Sequence, residues 1–411
     1  MHRLTHLTRV ATIGSVLALA ACETNKLSLL GPTTPAGGEI FKSYVAIGNS
    51  ITAGWQSGGI NDSTQQQAYP RLLAAQMGTQ YHYPSLAMPG CPPPVANFLT
   101  QARVGNATPT TCALRVALSS TDILNNVAVP DARVLDPVTA STVASNVLTT
   151  LVLGGKTQVQ RALDARPTFV SIWIGSNDVL QAAYTGILTP TPGVSFGIVS
   201  TQAQFETSYN LMLKQLTDSM PALKGVLIGV VRASSIPLMS SGAVIASSPV
   251  IQGTINAVAG KAVAINANCI GSTSLVTVPL LLNAIRAGTQ PAQISCARGA
   301  DPTNPLVGDL FVHDPTENAT LTAVIDGYNA FIKSRADALG FAYFDPNPTL
   351  AALRGTASVN LFPNYGSATN PFGTFFSLDG VHPSAEGQRL FANNLITVIN
   401  AKYGTSLAPL Q

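Results

Sequence analysis

Three short stretches of this 411-residue chain carry residue types that could do chemistry together. Gly48-Asn49-Ser50-Ile51 follows the apolar run Tyr44-Val45-Ala46-Ile47 and precedes Thr52-Ala53-Gly54. Gly175-Ser176-Asn177-Asp178 follows Phe169 to Ile174, and Asp379-Gly380-Val381-His382-Pro383-Ser384 lies near the C-terminus. A lone serine in a small-residue turn is ordinarily no more than a turn residue. A buried strand running into such a turn, however, presents its serine where open α/β sheets keep their reactive groups. A serine hydroxyl needs a base to become a nucleophile. His382 can be that base, and Asp379, three residues earlier, can hold the far ring nitrogen and fix its tautomer. Asn177 can offer a side-chain amide to a developing oxyanion. Together these are the parts of a serine hydrolase that attacks an ester carbonyl. Asp178 fits a helix cap or a loop-orienting role better than a reacting one. His82 and His313 receive no role.

At these residues the chain resembles the SGNH hydrolases, also called GDSL lipases and esterases. Gly48-Asn49-Ser50-Ile51 is similar to their first block, usually Gly-Asp-Ser-Leu. Gly175, Asn177 and Asp178 meet the third block, Gly-x-Asn-Asp, and Asp379 and His382 meet the fifth, Asp-x-x-His. The three blocks keep the family's order, and the resemblance spans roughly residues 42 to 402. It implies Ser50, Asp379 and His382 as the catalytic set. It also implies oxyanion donors from the backbone N–H of Ser50, the side chain of Asn177 and a second-block backbone N–H. Asn126-Val127-Ala128-Val129-Pro130-Asp131 resembles that second block, with Asp131 where a glycine is usual; Gly90, in Leu86-Ala87-Met88-Pro89-Gly90, is the alternative. The fold implied is a three-layer α/β/α sandwich whose five parallel strands run in the order 2-1-3-4-5. No metal and no cofactor is implied.

The elements that must position these residues are legible as alternating patterns. Strands are expected at Tyr44 to Ile47, Gln80 to Leu86, Thr168 to Ile174, Gly225 to Val231 and Phe341 to Phe344. Helices are expected at Tyr69 to Met77, Ala140 to Leu153, Gln158 to Leu163, Gln204 to Ser219, Pro315 to Leu339 and Ala385 to Ile399. Such alternation implies a parallel sheet between helical layers. Gly154-Gly155-Lys156-Thr157 lacks the upstream glycine and the leading strand of a phosphate loop, and reads as a helix end and turn. Residues 232–312 do not alternate and read as an insertion, with one helical pair, that walls the substrate cleft. The long loop over residues 346–377, with Phe362, Tyr365, Phe372, Phe375 and Phe376, serves equally as pocket lining or as a cap on the core.

Composition bounds the remaining classes. A net charge of +3, with only 10% of residues charged, gives no nucleic-acid footprint. Ala11 to Ala21 is apolar but too short to span a bilayer, and it follows a basic start at Arg3 and Arg9. It ends in Leu19-Ala20-Ala21-Cys22, which looks like a bacterial lipobox. That reading makes residues 1–21 a lipoprotein signal peptide, Cys22 the lipidated N-terminus, residues 22–40 a flexible tether, and residues 41–405 the catalytic domain. It places the protein in the cell envelope, with the outer membrane favoured because Glu23 rather than Asp follows the cysteine; the alternative, an ordinary signal peptide, makes it secreted. Four cysteines remain, and the local pairs Cys91–Cys112 and Cys269–Cys296 are favoured as disulfides; the absence of a close Cys-x-x-Cys pair argues against zinc. The expected function is a lipid-anchored esterase or lipase on a small-molecule or lipid ester. Rivals are a carbohydrate acetyl esterase, a lysophospholipase or thioesterase, and a catalytically silent binding lipoprotein.

Overall fold

The computed structural model describes residues 38–112, 123–139, 152–186, 188, 200–297 and 310–411. The expected signal peptide, Cys22 and most of the expected helix from Ala140 to Leu153 lie outside the described residues.

Four parallel strands make the central sheet: β1 (Tyr44–Gly48), β2 (Phe169–Trp173), β3 (Lys224–Ile228) and β4 (Ala342–Phe344), in that order across the sheet. β1 and β2 pair from Tyr44 with Phe169 to Gly48 with Trp173, so both chains leave the sheet at one level. That register brings Ser50 and Asn177 to the same sheet edge. Every residue of β1 and β2 is buried, which is why both read as apolar runs, broken only by the buried Ser171 in β2, rather than as alternating ones.

The expected strand from Gln80 to Leu86 does not form, and among the described residues the sheet has four strands where five were expected. The outer edge of β1 is met instead by residues 125–129. Ala46 N–H donates to the Asn125 carbonyl, and the N–H groups of Val127 and Val129 donate to Ala46 and Gly48. His82 still borders this edge, because its carbonyl accepts from the N–H groups of Asn125 and Asn126. The Asn125 side chain bridges His82 N–H and the Tyr44 carbonyl. A side-chain amide thus does what a second ladder would have done, and no alternation in the sequence announces that.

Helices pack on both faces. On one face α1 (Ser50–Ala53) continues β1, and α2 (Tyr69–Met77) packs against the closing helix. α2 has proline in its first turn and Gly78 in left-handed conformation at its end, as its sequence predicts. On the other face α3 (Gln158–Asp164) starts at a capping box on Thr157. It is followed by α4 (Leu180–Thr185) and α5 (Gln202–Ser219), which buries Phe205, Tyr209, Leu213 and Leu216. Within residues 232–312 lie α6 (Pro249–Ala259) and α7 (Val278–Arg286), packed together around a separate apolar cluster that includes the Cys269–Cys296 disulfide. α8 (Pro315–Leu339), α9 (Asn347–Leu353) and α10 (Ala385–Tyr403) complete the order. α9 was not expected, because Pro346 and Pro348 masked a short helix as loop. Cys91–Cys112 is also a disulfide.

Candidate active site

The turn after β1 is shaped by two small-scale constraints. A Cβ on Gly48 would lie 2.3 Å from the Thr52 hydroxyl and 2.6 Å from the Trp173 carbonyl, so only glycine lets the strand pass there. Asn49 caps α1 by accepting the Ile51 N–H at 3.2 Å. Ser50 therefore opens the helix at the carboxyl end of β1, with its side chain nearly buried.

His382 arrives from the far end of the chain. The segment before α10 folds back on itself: Ser377 N–H donates to the His382 carbonyl and Ser384 N–H to that of Phe375. Gly380 turns the tip at φ +70°. His382 Nε2 then stands 2.8 Å from Ser50 Oγ, and His382 Nδ1 stands 2.9 Å from Asp379 Oδ2. Gln388, fully buried in the first turn of α10, fixes this approach. Its Nε2 donates to the Ile51 carbonyl at 3.0 Å and its Oε1 accepts from Tyr69 N–H at 2.9 Å. Sequence reading did not single out Gln388, since nothing local distinguishes it from any other helical glutamine.

Asp379 is held on both oxygens. Oδ2 also accepts from Gly58 N–H, while Oδ1 accepts from Ser377 Oγ and from the N–H groups of Val381 and His382. Burial alone pushes this carboxyl up. The facing His382 and the hydrogen bonds from His382 and Val381 together outweigh burial and hold it at about 2. The Trp55 ring lies beside the imidazole, with centroids 6.3 Å apart.

Asn177 sits after β2, in a turn opened by Gly175 at φ +116°, where a Cβ would strike Phe205. Its Nδ2 donates to the Ala132 carbonyl at 2.9 Å, which leaves a second N–H on the same nitrogen. Asp178 accepts from Val134 N–H and Ser200 Oγ, tying the turn to the segment that follows Asp131. Burial raises the Asp178 carboxyl to about 6, and these bonds and nearby Arg133 offset only part of the rise.

The two second-block candidates separate. The segment leading to Asp131 is laced to the turn that carries Ser50, because Asn126 Nδ2 donates to the Thr52 carbonyl and Val129 N–H to that of Gly48. Asp131 adopts φ +63°, the left-handed conformation in which glycine is usual. Gly90 has a packing reason for being glycine: a Cβ there would meet the Ile60 carbonyl at 2.5 Å.

A cleft opens beside Ser50, Asn177 and His382. Its walls are otherwise mainly apolar: Val179, Leu180 and Ala183 at the start of and along α4, Val231, Ala233 and Ile236 after β3, and Phe376 and Phe391. Among the described residues of the expected insertion, Arg232, Ala233 and Ile236 contribute, and Arg232 is also ion-paired with Asp326 at 2.6 Å. Of the five loop aromatics, Phe376 lines the cleft, Phe372 and Phe375 join the main core, and Phe362 and Tyr365 pack on the insertion. His313 is buried, with Nε2 2.7 Å from the Ala183 carbonyl, whereas His82 is exposed. No group of metal-binding side chains occurs among the described residues.

The family model for GDSL-like lipase/acylhydrolase matches residues 44–395. The chain belongs to that family. GDSL family members hydrolyse esters, and this chain is an enzyme of that kind. Among solved structures, this GDSL hydrolase is similar to an extracellular lipase from Streptomyces rimosus at 19% identity, over 87% of this chain and 98% of that one, with a TM-score of 0.35. It is similar to an acetylxylan esterase from Geobacillus stearothermophilus at 13% identity, over 90% and 97%, with a TM-score of 0.37. A phospholipase A1 from Streptomyces albidoflavus matches at 15% identity, over 87% and 98%, with a TM-score of 0.32. No curated protein matches the chain.

Proposed function

We propose that this GDSL hydrolase cleaves carboxylic esters through an acyl-enzyme on Ser50, with His382 as general base and then general acid. The observation that carries the reading is the unbroken relay from Ser50 Oγ to His382 Nε2 at 2.8 Å and from His382 Nδ1 to Asp379 Oδ2 at 2.9 Å. Ser50 loses its proton to His382 as it attacks the ester carbonyl. Asp379, already ionised, stabilises the imidazolium that forms. The oxyanion is met by Ser50 N–H, the second N–H of Asn177 Nδ2 and Asp131 N–H. His382 then protonates the departing alcohol, and water repeats the sequence to release the acid. The same relay argues against a silent binding lipoprotein.

The cleft favours an ester with an acyl chain over a carbohydrate acetate, because its walls beyond the relay are mainly apolar and would be left unused by an acetyl group. Lipase, lysophospholipase and thioesterase activity all fit such a chain. The lipid anchor at Cys22, the tether and a cell-envelope location are also proposed, on Leu19-Ala20-Ala21-Cys22. No helix among the described residues is long and apolar enough to cross a membrane.

The test is a panel of p-nitrophenyl esters from acetate upward, with Ser50→Ala and His382→Ala beside the parent. Turnover should rise from acetate to longer chains, and both variants should lose it while staying folded. A folded Ser50→Ala protein with parental turnover would sink the mechanism; a preference for acetate would sink the chain-length reading alone.

A further inference from the structure

The loop after α1 makes a tight turn whose role nothing above explains. Gln56 and Gly59 exchange both backbone hydrogen bonds, at 2.9 and 3.1 Å, which leaves Ser57 and Gly58 at its tip. Both tip residues have positive φ, +54° and +65°. That is the signature of a type I′ turn, whose first tip position favours asparagine, aspartate or glycine rather than serine. A serine persists in such a conformation only where its surroundings over-determine it.

They do, and the determining contacts lead to Asp379. Ser57 N–H donates to Ser377 Oγ at 2.8 Å, and Ser57 Oγ accepts from Leu378 N–H at 3.1 Å. Ser377, itself buried, donates its hydroxyl hydrogen bond to Asp379 Oδ1 at 3.1 Å. The next N–H of the turn, that of Gly58, donates to Asp379 Oδ2 at 2.9 Å. Two consecutive amides therefore address the two oxygens of one carboxylate, one of them through a serine. The back of the turn is braced as well: Arg103 Nη1 donates to the carbonyls of Gly58 and Pro93, and Val95 N–H donates to the Ser57 carbonyl.

We propose that this turn is a positioning device for the carboxylate that holds His382: Ser377 and the Ser57–Gly58 amides, braced by Arg103, set the rotation of Asp379 and through it the ring of His382. The inference rests on the reading of Ser50, His382 and Asp379 given above. Ser377 and Arg103 are positioning residues, since each acts through Asp379. Without the Ser377 proton the carboxylate has one donor fewer. It is less firmly oriented, yet it attracts the imidazolium more strongly.

The experiment compares Ser377→Ala, Arg103→Met and Arg103→Lys in the full chain, with p-nitrophenyl butyrate as substrate. Tyr184 and Asp131, which lie within electrostatic reach of the site, are unchanged in all three. Ser377→Ala should lower kcat about tenfold, the scale of one hydrogen bond to a charged group, with KM nearly constant. The acid limb of kcat/KM should move to higher pH, and the low-field proton resonance of His382 Nδ1 should shift. Arg103→Met should move all three in the same directions by less, and Arg103→Lys, which keeps a cationic donor, should restore most of the loss. Parental kcat in Ser377→Ala would overturn the proposal. So would a loss of kcat with the acid limb and the Nδ1 proton unmoved, which is what mere loosening of the loop would give. Ser50→Ala is assayed alongside: if it retains turnover, the failure lies in the underlying mechanism rather than in the positioning turn.

Discussion

Asn177→Ala tests the proposed side-chain oxyanion donor. Its Nδ2 spends one hydrogen on the Ala132 carbonyl at 2.9 Å. That bond fixes which end of the amide is nitrogen and keeps a second N–H beside Ser50, in the cleft they share. Truncation to alanine removes both hydrogens. The donor that strengthens as charge develops is lost, and kcat should fall ~10²–10³-fold, or about 2.7–4 kcal/mol of transition-state stabilisation. The structural bond is a separate and smaller loss of about 1 kcal/mol. In a domain of this size that lowers Tm by no more than about 2–4 °C. Asn177→Asp sharpens the test, because it keeps the shape, supplies no donor and sets a carboxylate against both the Ala132 carbonyl and the developing oxyanion. It should cost at least as much as alanine. Steady-state kinetics on p-nitrophenyl butyrate, with a thermal melt of each variant, separate the two effects. The reasoning fails if folded Asn177→Ala keeps kcat within about threefold of the parent, or if its whole loss appears in KM, which would mark uniform binding rather than transition-state binding.

Three further outcomes are expected. Asp131→Gly should keep or raise kcat without lowering Tm, because φ +63° suits glycine and only the backbone N–H is needed; a large loss of kcat would give the side chain a role of its own. Asp178→Asn should flatten part of the pH dependence of stability. The Asp178 carboxyl titrates at about 6 in the folded chain against an ordinary 3.8, so its stabilising contribution is complete below the lower value and is lost as pH rises through the upper one. An equal pH dependence in parent and variant melts would contradict that. Mass spectrometry of the mature protein should find lipid on an N-terminal Cys22, and an unmodified N-terminus at another residue would refute the anchor.

Much of the site was legible because its parts are local. Ser50 and Asn177 each follow a mainly apolar run, and burial on both faces of a parallel strand writes such a run directly into sequence. Asp379 and His382 are three residues apart, so one loop holds both, and the proline and serine after them mark the start of α10. What tertiary structure alone decided are the contacts between distant segments. Gln388 joins α10 to the carbonyl of Ile51, next to Ser50, across more than three hundred residues of chain, and Ser57 meets Ser377 over a comparable span. A side-chain amide or hydroxyl has no periodicity, so nothing in its neighbourhood predicts its partner. The edge of the sheet turned on the same kind of contact. Gln80 to Leu86 has the composition of a strand, but a strand exists only where a ladder closes. The Asn125 side chain, bonded to His82 N–H and the Tyr44 carbonyl, takes up the backbone groups that such a ladder would have paired.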